Sequence, residues 1–332
     1  MTLPLSILDL APVPEGMGAS EALGNIVSLA KLGDELGFAR VWYAEHHGIP
    51  SIASSSPEVL IATAAAHTRR IHVGSGGVML PNHVPLRVVE TYRTLNGLHP
   101  GRIDLGIGRA GGSDGRTLSA LRSTDGNYFP QEMAELLAFE QSSFPPDHPF
   151  APIRVVPENV VLPPIFILGS SGASAAAAGD LGIGYSFAAH FSATPAAPAF
   201  GAYREAFRPS SQFAKPHAIL AVSALVAPTM EEAQFLSHSQ AVSWALFHSG
   251  DERRLLAPEV AAARELTPAQ RAVIEKQGRL WIVGDPAAVK AAIETQAEAA
   301  GADEVMVTTT IWSHDLRLRS YRLLAEAFGL VR

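Results

Sequence analysis

A short apolar run, a polar loop and an amphipathic helix recur along the whole chain, and this alternation limits the fold more than any other feature. Runs rich in Val, Ile, Leu and Phe occupy 3–10, 38–44, 71–80, 102–107, 165–168, 185–189, 217–226 and 304–310. Helical segments follow them, opening near Ser20, Pro57, Pro85, Pro130, Ser174, Pro195, Met230 and Ser313, many with a Pro or Ser suited to a first turn. Strands separated by helices pair in parallel, and eight such units predict a closed (β/α)8 TIM barrel. We expect one barrel domain over residues 1–332 with two insertions, after strands four and seven. The first, about 111–163, holds a loop, one helix and the Pro-rich stretch "FPPDHPFAPIRVVPENVVLPP"; the second, about 251–283, is charged and ends at Trp281. Segments that long in a compact domain are usually functional, and the second is the candidate lid.

Composition removes whole classes of chemistry. The 332 residues are 47% hydrophobic and 17% charged, enough for a large core without cross-links. Zero cysteines exclude disulfides, thiolate metal sites, iron–sulfur clusters and cysteine nucleophiles. A formal charge of -7 with scattered Lys and Arg offers no basic stripe, so no nucleic-acid partner is expected. The start, "MTLPLSILDLAPVPEG", lacks a cationic lead, and no apolar stretch approaches the roughly 20 residues that span a bilayer. The expectation is a cytoplasmic protein with no membrane partner.

In such a barrel the chemistry sits where strands end, so each strand's exit is informative. Strand two exits into Glu45-His46-His47. Neighbours in extended chain face opposite ways, so the two imidazoles do not share one metal, and no metal site is predicted. One of them can face the mouth as a proton carrier while Glu45 orients a ring. Strand three carries Gly76-Gly77, which fits either a bulge or a flat ring lying against bare backbone. Strand four ends in "GIGRAG", which matches a dinucleotide fingerprint without the helix that fingerprint needs at its glycines. That argues against a nicotinamide dehydrogenase and leaves Arg109 as a fixed cation for a phosphate. Strand five ends in "ILGSSGASAAAAG", where Gly169, Ser170, Ser171 and Ser174 precede an Ala-rich helix and form an anion cradle. Strands four and five are neighbours in a barrel, so Arg109 and the cradle are expected to face one phosphate. Asp9, Asn82, His83 and His190 are weaker candidates for lining a substrate pocket.

Together "GFARVWYAEHH", "VGSGGVMLPNHVPLRVVE", "TLNGLHPGRIDLGIGRA" and "PPIFILGSSGAS" resemble the bacterial luciferase-like family of flavin-dependent monooxygenases, over nearly the whole chain. The resemblance implies a usually dimeric barrel that takes reduced FMN from a separate NAD(P)H:flavin reductase and uses O2 to oxygenate a small organic substrate. It implies that His46 supports catalysis, that a cis peptide at Gly76-Gly77 backs the flavin ring, and that Arg109, Ser170, Ser171 and Ser174 bind the phosphate. The family's reactive cysteine is Gly108 here, and its acidic phosphate-loop residue is Ser170. Its second phosphate arginine has no counterpart near Phe129-Pro130. Two rivals share the barrel: a deazaflavin-dependent hydride-transfer enzyme, and a non-catalytic flavin-binding partner subunit, against which His46 speaks.

Overall fold

A computed structural model describes residues 3–251 and 255–330. In chain order the elements are β1 (Leu5–Asp9), α1 (Ala19–Leu36), β2 (Arg40–Tyr43), α2 (Pro57–Ala66), β3 (His72–Ser75), β4 (Val78–Met79), α3 (Pro85–Leu98) and β5 (Ile103–Gly108). Then come α4 (Gly115–Leu121), α5 (Phe129–Gln141), β6 (Ile165–Gly169), α6 (Gly172–Asp180), β7 (Gly184–Ala188), α7 (Ala197–Ala206), β8 (Ala218–Val226) and α8 (Met230–His248). The chain finishes with α9 (Pro258–Ala263), α10 (Pro268–Gly278), β9 (Trp281–Gly284), α11 (Pro286–Ala300), β10 (Glu304–Thr308) and α12 (His314–Ala327). All strand pairs are parallel, in the order β10-β1-β2-β3-β5-β6-β7-β8, and β8 pairs with β10 to close the ring. The eight expected staves therefore form a TIM barrel.

Alternation along the staves sorts side chains into two layers. Ile7, Val41, Ile167 and Val307 pack outward among the helices, whereas Leu8, Trp42, Phe166, Ile219 and Met306 form a separate inner cluster. Register joins the inner set, with Leu8 beside Trp42 and Met306 beside Ala221. One step toward the amino-terminal end lies a polar plug. Arg40 Nε donates to Glu304 and its Nη1 to Asp104, both at 2.8 Å, while Trp42 Nε1 donates to Asp104 and His217 Nε2 meets Glu304. An inner floor of this kind closes the barrel and leaves only the opposite rim for chemistry.

Three departures from the sequence reading have physical causes. The run 71–80 is split, because β3 stops at Ser75 and pairing resumes at Val78. The insertion after β5 holds two helices rather than one: Asp114 caps α4 by accepting from the N–H groups of Arg116 and Thr117. The second insertion contains α9 and α10, and its last residues are a strand. "WIVG" of β9 adds to the extended end of β8, with Trp281 opposite Ser223. Leu256 and Ala261 of this insertion are buried against Val242 and Leu246 of α8. It is thus a packed helical cap, and its residues 252–254 lie outside those described.

Candidate active site at the carboxyl rim of the barrel

The two histidines after β2 diverge. His47 Nε2 lies 2.9 Å from Glu45 Oε1. His46 turns the other way, with Nδ1 3.3 Å from the carbonyl oxygen of Gly112. A ring nitrogen against a carbonyl must donate, so Nδ1 carries the proton and Nε2 of the neutral ring keeps its lone pair. His190 follows β7 and repeats the arrangement, with Nδ1 3.4 Å from Ala221 O. Burial, helped by the neighbouring His46, lowers the His190 pKa to about 4, so that ring is neutral near pH 7. Two imidazoles from opposite flanks of the rim therefore stand close enough to influence one another.

Glu45 organises more than the sequence suggested. Its buried carboxylate accepts from His47, from His83 Nε2 at 2.9 Å, from Asn82 Nδ2 at 3.0 Å and from the Met79 N–H at 2.8 Å. Burial pushes the Glu45 carboxyl up, but the hydrogen bond and charge of His83 outweigh it and hold the group below its usual range. His83 is a half-buried ring whose partial burial lowers its pKa, yet its contact with Glu45 outweighs this and raises it. Asn82 donates a second bond to Gly111 O at 3.0 Å, which ties this cluster to the loop that follows Arg109. Asn82 and His83 thus act on the frame around His46. Asp9 lies elsewhere: fully buried at the end of β1, it holds Arg317 Nη2 at 2.6 Å.

Gly76-Gly77 is a cis peptide. A Cβ on Gly77 would sit 2.8 Å from Gly106 O, and one on Gly76 would sit 2.7 Å from Leu8 Cδ1. The backbone of Gly106 therefore requires glycine at 77, whereas at 76 a side chain would have to displace Leu8. The same holds for "GIGRAG", where a Cβ on Gly106 would strike Ser75 O and one on Gly108 would meet Met79 Sδ at 2.8 Å. Those glycines serve barrel packing, and no helix opens at them.

Arg109 and the serines converge by register. Gly108 pairs with Leu168, so Arg109 stands beside Gly169 as the two strands leave the barrel. Arg109 is exposed and, among the described residues, makes no hydrogen bond or ion pair. Ser171 caps α6 and accepts from the Ser174 N–H, while Ser174 Oγ lies 3.0 Å from Ser171 O and 3.1 Å from Tyr185 Oη. The Tyr185 hydroxyl also reaches Ser171 O at 3.1 Å, a brace the sequence reading missed because it lies across two strands. A Cβ on Gly169 would come within 2.3 Å of Ser174 Oγ, so the closeness of the turn depends on glycine. The first N–H groups of α6 have no partner inside the helix, so this turn is rich in donors beside the strand end that carries Arg109.

Comparison with known proteins agrees with this architecture. The luciferase-like monooxygenase family model matches residues 3–304. A luciferase-like monooxygenase of Escherichia coli strain K12 is 39% identical over 328 residues, 98% of this chain and 97% of that one. The crystal structure of apo-MsnO8 is 36% identical, with a TM-score of 0.89 and 99% of each chain covered. Two more distant barrels share the fold: the oxygenating constituent of 3,6-diketocamphane monooxygenase in complex with FMN (17% identity, TM-score 0.70, 98% and 97% covered) and an F420-dependent secondary alcohol dehydrogenase (15%, 0.68, all of each chain). The chain belongs to the luciferase-like monooxygenase family. Among the described residues no helix is long and apolar enough to cross a membrane.

Proposed function

We propose that the chain works as one luciferase-like barrel domain, a monooxygenase that takes reduced FMN and O2 and oxygenates a small organic substrate. The observation that supports this reading is the register of β5 on β6, which brings the strand end carrying Arg109, unpaired among the described residues, beside the strand that leads into the Ser171–Ser174 turn. Residues present fit FMN: one guanidinium, two hydroxyls and a helix start for the phosphate, with Gly169 leaving room. When bound, reduced FMN supplies the oxygen-activating chemistry. The protein's share is to grip the phosphate, keep water from the rim and handle one proton. His46 takes or returns that proton at Nε2, because Gly112 O occupies Nδ1. His190, neutral near pH 7, gives His46 an uncharged neighbour. A separate NAD(P)H:flavin reductase, a homodimeric state and a cytoplasmic location complete the proposal.

Titration with FMN and with riboflavin tests the anchor. FMN is expected to bind at least about tenfold more tightly, the low end for a hydrogen bond to a charged group, and Arg109→Ala should remove that advantage while leaving riboflavin binding unchanged. Equal affinities in the wild type would refute the phosphate site. For His46→Ala we expect unchanged FMN affinity and a loss of at least about tenfold in turnover, a modest general acid–base contribution. Unaltered turnover would take His46 out of the mechanism. Anaerobic titration with a reduced deazaflavin is the remaining control, since preference for it over reduced FMN would favour hydride transfer on this barrel.

A further inference from the structure

The turn between β6 and α6 is tied to the barrel wall by a tyrosine. Tyr185 stands on β7 opposite Ile167 of β6, and its ring packs against Phe200 and Tyr203 of α7 with centroids 6.1 and 5.8 Å away. The residue is 0% exposed. Its hydroxyl lies 3.1 Å from both Ser171 O and Ser174 Oγ, and a Cβ on Gly169 would come within 3.1 Å of it. Among the described residues, no other side chain from outside the turn bonds Ser171 or Ser174.

Donors outnumber acceptors at this point. Ser171 O is approached by the Ala175 N–H at 3.3 Å, by the Tyr185 hydroxyl and by the Ser174 hydroxyl at 3.0 Å. A carbonyl oxygen has two lone pairs, so one of the three donors has to turn elsewhere. The Ala175 N–H is fixed by the first turn of α6. Tyr185 is held by its packing, and burial keeps its pKa above the ordinary phenol value in spite of the bonds to Ser174 and Ser171, so it stays a donor. Ser174 is only half-buried and its hydroxyl rotates about a single bond, which makes it the donor that yields.

We infer that Tyr185 is a positioning residue for FMN: by filling Ser171 O it turns the Ser174 proton outward, onto the phosphate of the flavin. The inference rests on the proposed phosphate site and adds a direction to it, since a hydroxyl already turned toward the anion gives up less freedom on binding. In Tyr185→Phe the second lone pair of Ser171 O falls to Ser174, whose proton then turns inward, and the phosphate loses one donor.

Oxidised FMN and riboflavin are titrated against the full chain by flavin fluorescence. Tyr185→Phe should reduce the advantage of FMN over riboflavin about three- to tenfold, the range of one net hydrogen bond, and leave riboflavin affinity unchanged. Ser174→Ala should do the same, and Tyr185→Phe added to it should cost nothing further, because the tyrosine then has no hydroxyl to direct. A brace that merely stiffened the turn through Ser171 would instead lower FMN affinity equally with and without Ser174. That result, or a full FMN advantage in Tyr185→Phe, overturns the inference and leaves the phosphate site standing. A full advantage in Ser174→Ala overturns it as well, and this variant decides the matter should Tyr185→Phe fail to fold. Equal affinities for the two flavins in the wild type would remove the phosphate site and the inference with it.

Discussion

Arg40→Ala should destabilise the barrel by about 3–5 kcal/mol, the usual consequence of removing one partner from a buried ion pair. Arg40 is the only described cation bonded to both Asp104 and Glu304, each of which is 1% exposed. Without it, two carboxylates remain on the barrel floor, with Trp42 and His72 beside one and Ser6 and His217 beside the other. Lysine is not an equivalent replacement. The guanidinium reaches the two acids through different nitrogens, Nη1 and Nε, which a single ammonium cannot reproduce, so Arg40→Lys is expected to fall between wild type and alanine. Urea unfolding monitored by circular dichroism measures all three, and an alanine variant within about 1 kcal/mol of wild type would contradict the plug's structural role.

The pH dependence of that loss has a definite sign. Burial raises the carboxyls of Asp104 and Glu304, but Arg40, together with His72 and Trp42 at the first and His217 and Ser6 at the second, outweighs it and holds both below their ordinary values. Depressed folded values give the wild type stability that is fully present above the unfolded carboxyl range near 4 and is lost as pH falls through the folded values. In Arg40→Ala burial is opposed only by the remaining hydrogen bonds, the folded carboxyls rise, and protonation relieves them. The deficit of the variant should therefore be widest near neutrality and shrink as pH is lowered toward 4. A deficit that grew on acidification would show that the arginine acts through something other than these two acids.

What the sequence made legible follows from how local each signal is. Seven of the staves stand out as single apolar runs bounded by polar turns, and β8 reads plainly because all nine of its residues are buried. The third is less simple, since Gly76 and Gly77 interrupt it for contacts with Leu8 and Gly106 that no window of sequence contains. Strand β9 was absorbed into the insertion because four residues before Asp285-Pro286 look like the approach to a helix cap. The adjacency of the strand ends that carry Arg109 and the serines could be read in advance because they belong to consecutive staves, where parallel pairing sets the backbone register. Glu45 was noticed beside its neighbours, yet its bonds to Asn82 and His83 join loops almost forty residues apart, and the Tyr185 brace crosses from one strand to the next turn. Periodicity reports faces; it carries no information on which polar partners meet over such separations.

Asp9 shows the same limit with a larger consequence, because a strand-end carboxylate suggested a pocket group and is in fact committed to Arg317. Asp9→Ala should cost about 3–5 kcal/mol by leaving Arg317, 2% exposed, without its counter-charge. The carboxylate also accepts from the Ala11 N–H at 2.8 Å, and Ala11 sits at a φ of 47°, a left-handed conformation that an alanine adopts only when held there. Truncation would thus release the turn leading from β1 to Pro12. Asp9→Asn separates these effects, since its amide oxygen can still accept from Ala11 while the charge is gone. We expect Asp9→Asn to keep more of the stability than alanine and still to fall below wild type, because Arg317 then lacks its counter-charge. If Asp9→Asn unfolds at the wild-type urea concentration, the charge of Asp9 contributes nothing measurable and the residue acts through its hydrogen bond to Ala11 alone.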